Sequence, residues 1–320
     1  MIESEVIQIS EKCGFSATKA EALKLEASGR EYYRIISSSG ETKVLCYLDP
    51  AKGNHSKFLH VSNFFLNQEI RSPEILYFNN DLGVTIQEDL GDLSLIDIDM
   101  LSNQNDLLLR QSLEVLVKIQ TANIPQIPKL EIHDLNSQMG KFSTIFLKDF
   151  LDIESHADLV NLQEEAIDEL SEQPWMNCHF DFERRNLILN NNSIAVIDYQ
   201  DLSFGPIGID LAGLLIDHYI KYPSEIMSNS LNHYSQLMEL ELSSEEVFEW
   251  VRWGAIQRNM RILGTLSKLY TNDNRAFRLK DLPAILDNLI ELIPKNEFLN
   301  LRDRMLSEVK PKLLSELNKI

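Results

Sequence analysis

"CHFDFERRNLILNNNSIAVIDYQD", Cys178–Asp201, is the stretch on which the fold of this chain turns. His179, Asp181 and Asn186 fall in one short polar patch. An apolar run follows, then Asn190-Asn191-Asn192, then a second apolar run that ends in Asp198. The asparagines read as the turn of a hairpin between two short strands. Taken singly, an Asp at a strand end is ordinarily a turn or cap, and an Asn before an apolar strand is ordinarily turn chemistry. The combination suits a different task. Phosphoryl transfer needs a carboxylate to orient or deprotonate the acceptor hydroxyl. It also needs oxygen ligands for a Mg²⁺ that bridges the phosphates. Asp181 offers the carboxylate. Asn186 offers an amide oxygen five residues later, and the hairpin returns Asp198 beside it. His179 reads as a structural residue that fixes the loop. Arg185 is open between pairing with an acid and approaching a phosphate.

The remaining composition is compatible with such a site. The chain has 320 residues, 44% of them hydrophobic, enough for one large domain or two smaller ones. A net charge of -19 argues against a general nucleic-acid or membrane-surface role. It leaves nucleotide chemistry open where divalent ions and local Arg184 and Arg185 offset the charge. The opening MIESEVIQIS carries acids among its apolar residues and does not read as a signal peptide. The apolar run "LAGLLIDHYI" is interrupted by Asp217 and His218, too early to cross a bilayer. Cys13, Cys46 and Cys178 are odd in number and scattered, unlike a disulfide framework or a zinc site. A reduced cytoplasm is the economical expectation.

No repeat or low-complexity tract interrupts the chain. The first ninety residues read as β-rich. "YYRIIS" (Tyr32–Ser37) and "TKVLCYL" (Thr42–Leu48) flank a turn at Ser38–Glu41, and "PEILYF" and "VTIQEDL" read as two further strands. Phe58, Val61, Phe64 and Phe65 share one face of a predicted helix near Lys57–Gln68. Beyond Gly91 helical spacing dominates, in Leu107–Ile119, Phe248–Leu269 and Leu279–Ile293. The expected fold class is therefore α+β. A small β-rich lobe over residues 1–90 precedes a larger helical lobe over residues 91–320, joined at "QEDLGD" (Gln87–Asp92).

The order acid, amide at plus five, hairpin, acid resembles the protein-kinase catalytic loop and metal-binding aspartate. More closely, "HFDFERRN" with "VIDYQD" resembles the aminoglycoside-phosphotransferase-like branch of the protein-kinase-like superfamily. Within it, the chain is similar to the bacterial anomeric kinases of N-acetylmuramate and N-acetylglucosamine. "EDLGDLSL" (Glu88–Leu95), "VIDYQDLSFGPIGIDLAGLL" (Val196–Leu215) and "QRNMRILGTLSKLY" (Gln257–Tyr270) carry the likeness over most of the chain. The resemblance implies a bilobal kinase fold, ATP and Mg²⁺ as cofactors, and a small-molecule acceptor, with no nucleic acid or membrane partner. It implies Asp181 as catalytic base and Asn186 and Asp198 as metal ligands. The backbone of Glu88, Asp89 and Leu90 would meet adenine. Asp210 would brace the catalytic loop. The loop "EASGREYYR" (Glu26–Arg34), with Gly29 and Arg30, would cover the nucleotide; a plain hairpin turn is the alternative there.

Departures from the family bear on the acceptor and the phosphates. The strand "VLCYLDP" lacks the phosphate-binding lysine of protein kinases, with Lys43 too early in the strand. Arg30, Arg34 and Lys52 are the candidates to replace it. The family loop reads His-Arg-Asp-Phe-His-Ser-Arg-Asn; here Phe180 stands for the first Arg and Glu183 for the second His. A family Phe-x-Asp-Trp becomes "FSTI" (Phe142–Ile145). Glu183, Arg258 and Arg261 are the candidate acceptor contacts, one arginine meeting a polar acceptor such as the carboxylate of a muramic acid. For the arginines, salt bridges with the many acids are the alternative. The leading expectation is an ATP-dependent kinase of an amino-sugar hydroxyl. Kinases of aminoglycosides or choline-like amino alcohols, and a nucleotide-binding pseudokinase, are the other readings.

Overall fold

A computed structural model describes residues 1–23, 29–102 and 106–320. Of the expected nucleotide-covering loop, residues 26–28 lie outside the described residues. The chain opens with α1 (Glu3–Lys12), β1 (Ala17–Ala22), β2 (Glu31–Ser37), β3 (Thr42–Tyr47), α2 (Ser56–Asn67), β4 (Ile75–Asn79) and β5 (Val84–Glu88). Next come α3 (Asp106–Thr121), α4 (Ile132–Lys141), a π-helical run Phe142–Phe150, and α5 (Ala157–Glu172). The quoted region contributes β6 (Trp175–Cys178), β7 (Leu187–Asn190), β8 (Ser193–Val196) and β9 (Ser203–Pro206). The rest is helical: α6 (Gly208–Leu215), α7 (Ser224–Leu237), α8 (Ser244–Asp273), α9 (Leu282–Leu292), α10 (Leu299–Arg304) and α11 (Lys310–Leu317).

By packing, these elements form two compact units. The smaller holds Met1–Ser102, Ala122–Ile124 and Arg184–Asp201. The hairpin β7–β8 thus groups with the early strands. The division at Gly91 follows the change from β-rich to helical spacing, and its reading as a nucleotide-binding lobe before an acceptor-binding lobe is a proposal.

The smaller unit is built on a five-stranded antiparallel sheet in the order β1-β2-β3-β5-β4. Its central hairpin follows from its sequence. Gly40, with φ +85°, turns the chain, and the Gly40 amide donates to the Ser37 carbonyl at 3.0 Å. Only glycine takes that conformation without strain. Ile36 then pairs with Thr42 and Tyr33 with Leu45. Alternation puts Tyr33, Ile35 and Leu45 into a core with Val6, Val84 and Ile86. The predicted helix is α2, which buries Phe58, Val61 and Phe65; the Phe58 ring stacks on Tyr199 at 4.9 Å.

The larger unit is organised around α8. Ser243 caps it by accepting from the Glu246 amide, with Glu246 reaching back to the Ser243 amide. Asn274 ends it in the left-handed conformation, φ +51°. α6 is buried along its whole length and lies against α8. The approach is close enough to need glycine on both helices. A Cβ on Gly208 would stand 2.1 Å from the Trp250 carbonyl oxygen, and one on Gly254 2.2 Å from that of Gly208. β6 and β9 pair antiparallel, Trp175 opposite Pro206 and Cys178 opposite Ser203. They deliver the loop that follows Cys178 to the N-terminal end of α6.

Candidate active site

In the larger unit, the loop that follows Cys178 and carries His179 and Asp181 is clamped from behind. Asp210, fully buried on α6, accepts from the His179 amide at 2.6 Å and the Phe180 amide at 2.8 Å. Burial pushes its carboxyl up to about 6, against the pull of His179 and of these two amide bonds. Phe180 is held at φ +68°, a conformation that costs a bulky residue energy. Its ring packs onto Gly205, where a Cβ would come within 2.9 Å. The sharp turn at Phe180 presents Asp181. The Asp181 amide donates to His179 Nδ1 at 3.3 Å, so His179 fixes the loop as its sequence position suggested.

Arg261 of α8 meets this loop twice. One Nη2 donates to the Phe180 carbonyl at 2.9 Å and to Asp181 Oδ1 at 3.0 Å. The Asp181 side chain nevertheless stays 43% exposed. Glu183 and Arg258 behave differently. Arg258 Nη2 donates to Glu183 Oε2 at 2.6 Å, with side-chain exposures of 2% and 11%. Arg278 stands 3.8 Å from the other Glu183 oxygen, bonds Asp281 at 2.8 Å, and donates to His218 Nε2 at 2.9 Å. Burial, then the Arg258 and Arg278 charges, push His218 down to about 4, so it is neutral and can accept. Of the three acceptor candidates, Arg261 therefore touches Asp181, while Glu183 and Arg258 neutralise each other beneath the loop.

The smaller unit holds the other half of the motif. β7 and β8 pair from Leu187 opposite Val196 to Asn190 opposite Ser193. Asn191 and Asn192, at φ +49° and +61°, make the tight turn between them. The Ile197 amide donates to the Asn186 carbonyl at 3.0 Å, which brings Asp198 next to Asn186. Asp198 leaves the strand at φ +65° and is bonded by the Gln200 side-chain amide. It lines a cavity of about 430 Å³ together with Tyr32, Glu88, Asp89, Leu90 and Ile197, all within this unit. Among the described residues no group of three or more His, Cys, Asp or Glu forms a metal cage. Asn186 and Asp198 fit Mg²⁺ all the same, because that ion takes one or two protein ligands beside water and phosphate oxygens.

The end of β5 and the segment after it are held by Arg71, which local sequence reading passed over, and by Arg34, read there as a candidate phosphate ligand. Arg71 grips Glu88 with two bonds of 2.6 and 2.7 Å and holds its carboxyl below the usual range. Arg34 bonds Asp89 at 2.6 and 3.0 Å, and Asp92 at 2.8 Å through each of two nitrogens. Burial would raise the Asp89 carboxyl, but the Arg34 and Gly91 bonds hold it low. Asn190 donates to the Leu90 carbonyl at 3.1 Å. Leu90 packs with Ile188, Ala195 and Ile197 against the hairpin. Gly29, exposed at φ +74°, begins the described part of the covering loop. Arg30, partly buried beside it, keeps its Nε without a hydrogen bond.

The comparisons with known proteins bear on the fold and the family of the chain. The N-acetylmuramate/N-acetylglucosamine kinase of Neisseria meningitidis serogroup B is 26% identical over 278 residues, covering 82% of each chain. The protein of that name from Pseudomonas aeruginosa is 24% identical over 270 residues, 81% of this chain and 79% of the other. Among solved structures, the choline kinase LicA of Streptococcus pneumoniae superposes with a TM-score of 0.64 at 14% identity, over 90% of this chain and 99% of that one. The ADP-bound aminoglycoside phosphotransferase APH(2'')-Ib gives 0.61 at 15%, over 91% and 99%. These likenesses fix the fold as protein-kinase-like. The model of the phosphotransferase enzyme family matches residues 19–242, a span that takes in the sheet, the Asp181 loop and the Asp198 hairpin. The chain belongs to that family, and is a kinase that places a phosphoryl group on a hydroxyl of a small molecule.

Proposed function

We propose that this kinase uses ATP to phosphorylate an amino sugar, such as N-acetylmuramate or N-acetylglucosamine, at its anomeric hydroxyl. The seating of Asp181 carries the reading. Its loop is fastened by Asp210, one of its oxygens is held by Arg261, and its carboxylate is still exposed. The names of the two curated relatives supply the sugar.

In this reading Asp181 accepts the hydroxyl proton as the sugar oxygen bonds to the γ-phosphorus and the bond to the ADP oxygen breaks. Arg261 is a positioning residue that keeps the carboxylate from turning away. Asn186 and Asp198 would hold Mg²⁺, which neutralises charge on the phosphates. Asp181 and Asn186 are five residues apart in the chain, so one loop joins base and metal ligand. The backbone of Glu88, Asp89 and Leu90 receives the adenine. With the Leu90 carbonyl taken by Asn190, the Leu90 amide serves as donor to the base. Arg30 stands in for the missing strand lysine. Arg34 is held by Asp89 and Asp92, and Lys52 is exposed. Arg30 Nε is buried without a partner. Burial pushes the Cys46 thiol up to about 12, against a Tyr32 hydrogen bond and the nearby Arg30 charge.

Release of ADP from Mg·ATP, measured over N-acetylmuramate, N-acetylglucosamine, glucose, choline and kanamycin, tests the acceptor. Turnover confined to the amino sugars is expected; turnover on choline or kanamycin alone contradicts the reading. For the metal site, Asp198→Ala should abolish Mg²⁺-dependent ATP binding in calorimetry. Unchanged Mg·ATP affinity would make Asp198 a structural strand end.

A further inference from the structure

Arg261, Gly264 and Lys268 recur at i, i+3 and i+7 along α8 and so share one face of the helix. The end of α4 is pressed onto that face. A Cβ on Gly264 would stand 2.4 Å from Lys141 Cβ and 2.7 Å from the Lys141 carbonyl oxygen. The missing side chain at 264 therefore seats Lys141 in a cationic row with Arg261 and Lys268. The row begins at Asp181, whose Oδ1 is 3.0 Å from Arg261.

Charge along this row is not balanced. Asp181 neutralises Arg261, but among the described residues neither Lys141 nor Lys268 has a carboxylate within ion-pair distance. Lys141 is partly buried, and burial, then the Arg261 and Lys268 charges, depress its ammonium. Lys141 and Lys268, with no carboxylate of their own, extend the row from Arg261 and offer two cationic donors to an anion from outside the chain.

We infer that Lys141 and Lys268 bind an anionic group of the acceptor, and so select a sugar that carries a carboxylate over a neutral or cationic one. The inference rests on the sugar-kinase reading above and names the residues that set its specificity. A carboxylate on the far side of the sugar from the reacting hydroxyl meets Lys141 and Lys268, while that hydroxyl meets Asp181. A sugar phosphate offers the same charge, and the measurement must separate the two.

The test is the ratio of kcat/KM for N-acetylmuramate to that for N-acetylglucosamine, in the wild type, Lys141→Met, Lys268→Gln and Lys141→Arg. The wild type should favour the carboxylate sugar. Lys141→Met should lower the ratio about tenfold, the scale of one charge-assisted hydrogen bond; Lys268→Gln should lower it less, and Lys141→Arg should retain it. Lys268 is exposed, so its variant gives a reading even if Lys141→Met fails to fold. A ratio unchanged in both neutralising variants overturns the inference while leaving the kinase reading intact. The same holds if N-acetylglucosamine 6-phosphate, and not N-acetylmuramate, responds to the variants. If the wild type phosphorylates no amino sugar, the kinase reading fails and the inference falls with it.

Discussion

Asp181 combines two properties that ordinarily oppose each other, a fixed backbone and an accessible carboxylate. The backbone is fixed by a buried aspartate behind it and an arginine beside it, so Asp181→Asn should keep the fold. The amide cannot take a proton, and turnover should fall about 10²–10⁴-fold with ATP affinity nearly unchanged. Stopped-time ADP assays and calorimetry on the same preparation would check both halves. Glu183 and Arg258 lie 75 residues apart, and no local pattern could have paired them. Both were read from the sequence as candidate acceptor contacts, with a salt bridge to an acid as the alternative for Arg258, and the structure pairs them with one another. Glu183→Ala would leave the Arg258 guanidinium buried without its carboxylate, at a cost of roughly 3 kcal/mol. Differential scanning calorimetry should register a lower Tm for it than for Asp181→Asn. The grouping of Asp181, Asn186 and Asp198 around one loop and hairpin was legible because they stand at short spacing. The partners of Arg258 and Arg261 were not, because each arginine reaches its carboxylate through the fold.

At the scale of elements, local signals account for much of the architecture. The hairpin β2–β3 follows from alternation and Gly40, and α2 and α8 from their apolar spacing. β6 and β9 gave no such signal. Each has four residues and finds its partner across the whole catalytic stretch. The left-handed turns at Phe180 and Asp198 were equally hidden: a bulky Phe seldom takes positive φ, and Asp, which takes it more readily, carries no local turn signal after an apolar strand. They are imposed by the bonds around them. The close crossing of α6 and α8 also depends on contact at a distance. Gly254→Ala should push the helices apart and cost roughly 1–3 kcal/mol or more, the range for overpacking. Because α6 carries Asp210, the variant should lose turnover as well as Tm. Thermal melts and initial rates on one sample would show whether the two fall together. A lower Tm with full activity would mean that the Asp181 loop does not depend on α6.

Over the whole molecule, the α+β kinase-like class was legible because a β-rich start and a helical remainder frame one short motif. Composition set limits but did not choose a substrate: a charge of -19 argues against broad polyanion binding and is silent about a local cationic row. That row becomes visible only when α4 is laid on Gly264 of α8. The central claim is that Asp181 and its surroundings serve transfer of the γ-phosphoryl group to an anomeric sugar hydroxyl. Phosphorus NMR of the product formed from Mg·ATP and N-acetylmuramate tests it most directly. A new phosphomonoester signal coupled to the anomeric proton, in one-to-one yield with ADP and absent with Asp181→Asn, is the predicted result. A phosphoryl group on any other hydroxyl, or ADP formed with no sugar phosphate, would contradict it.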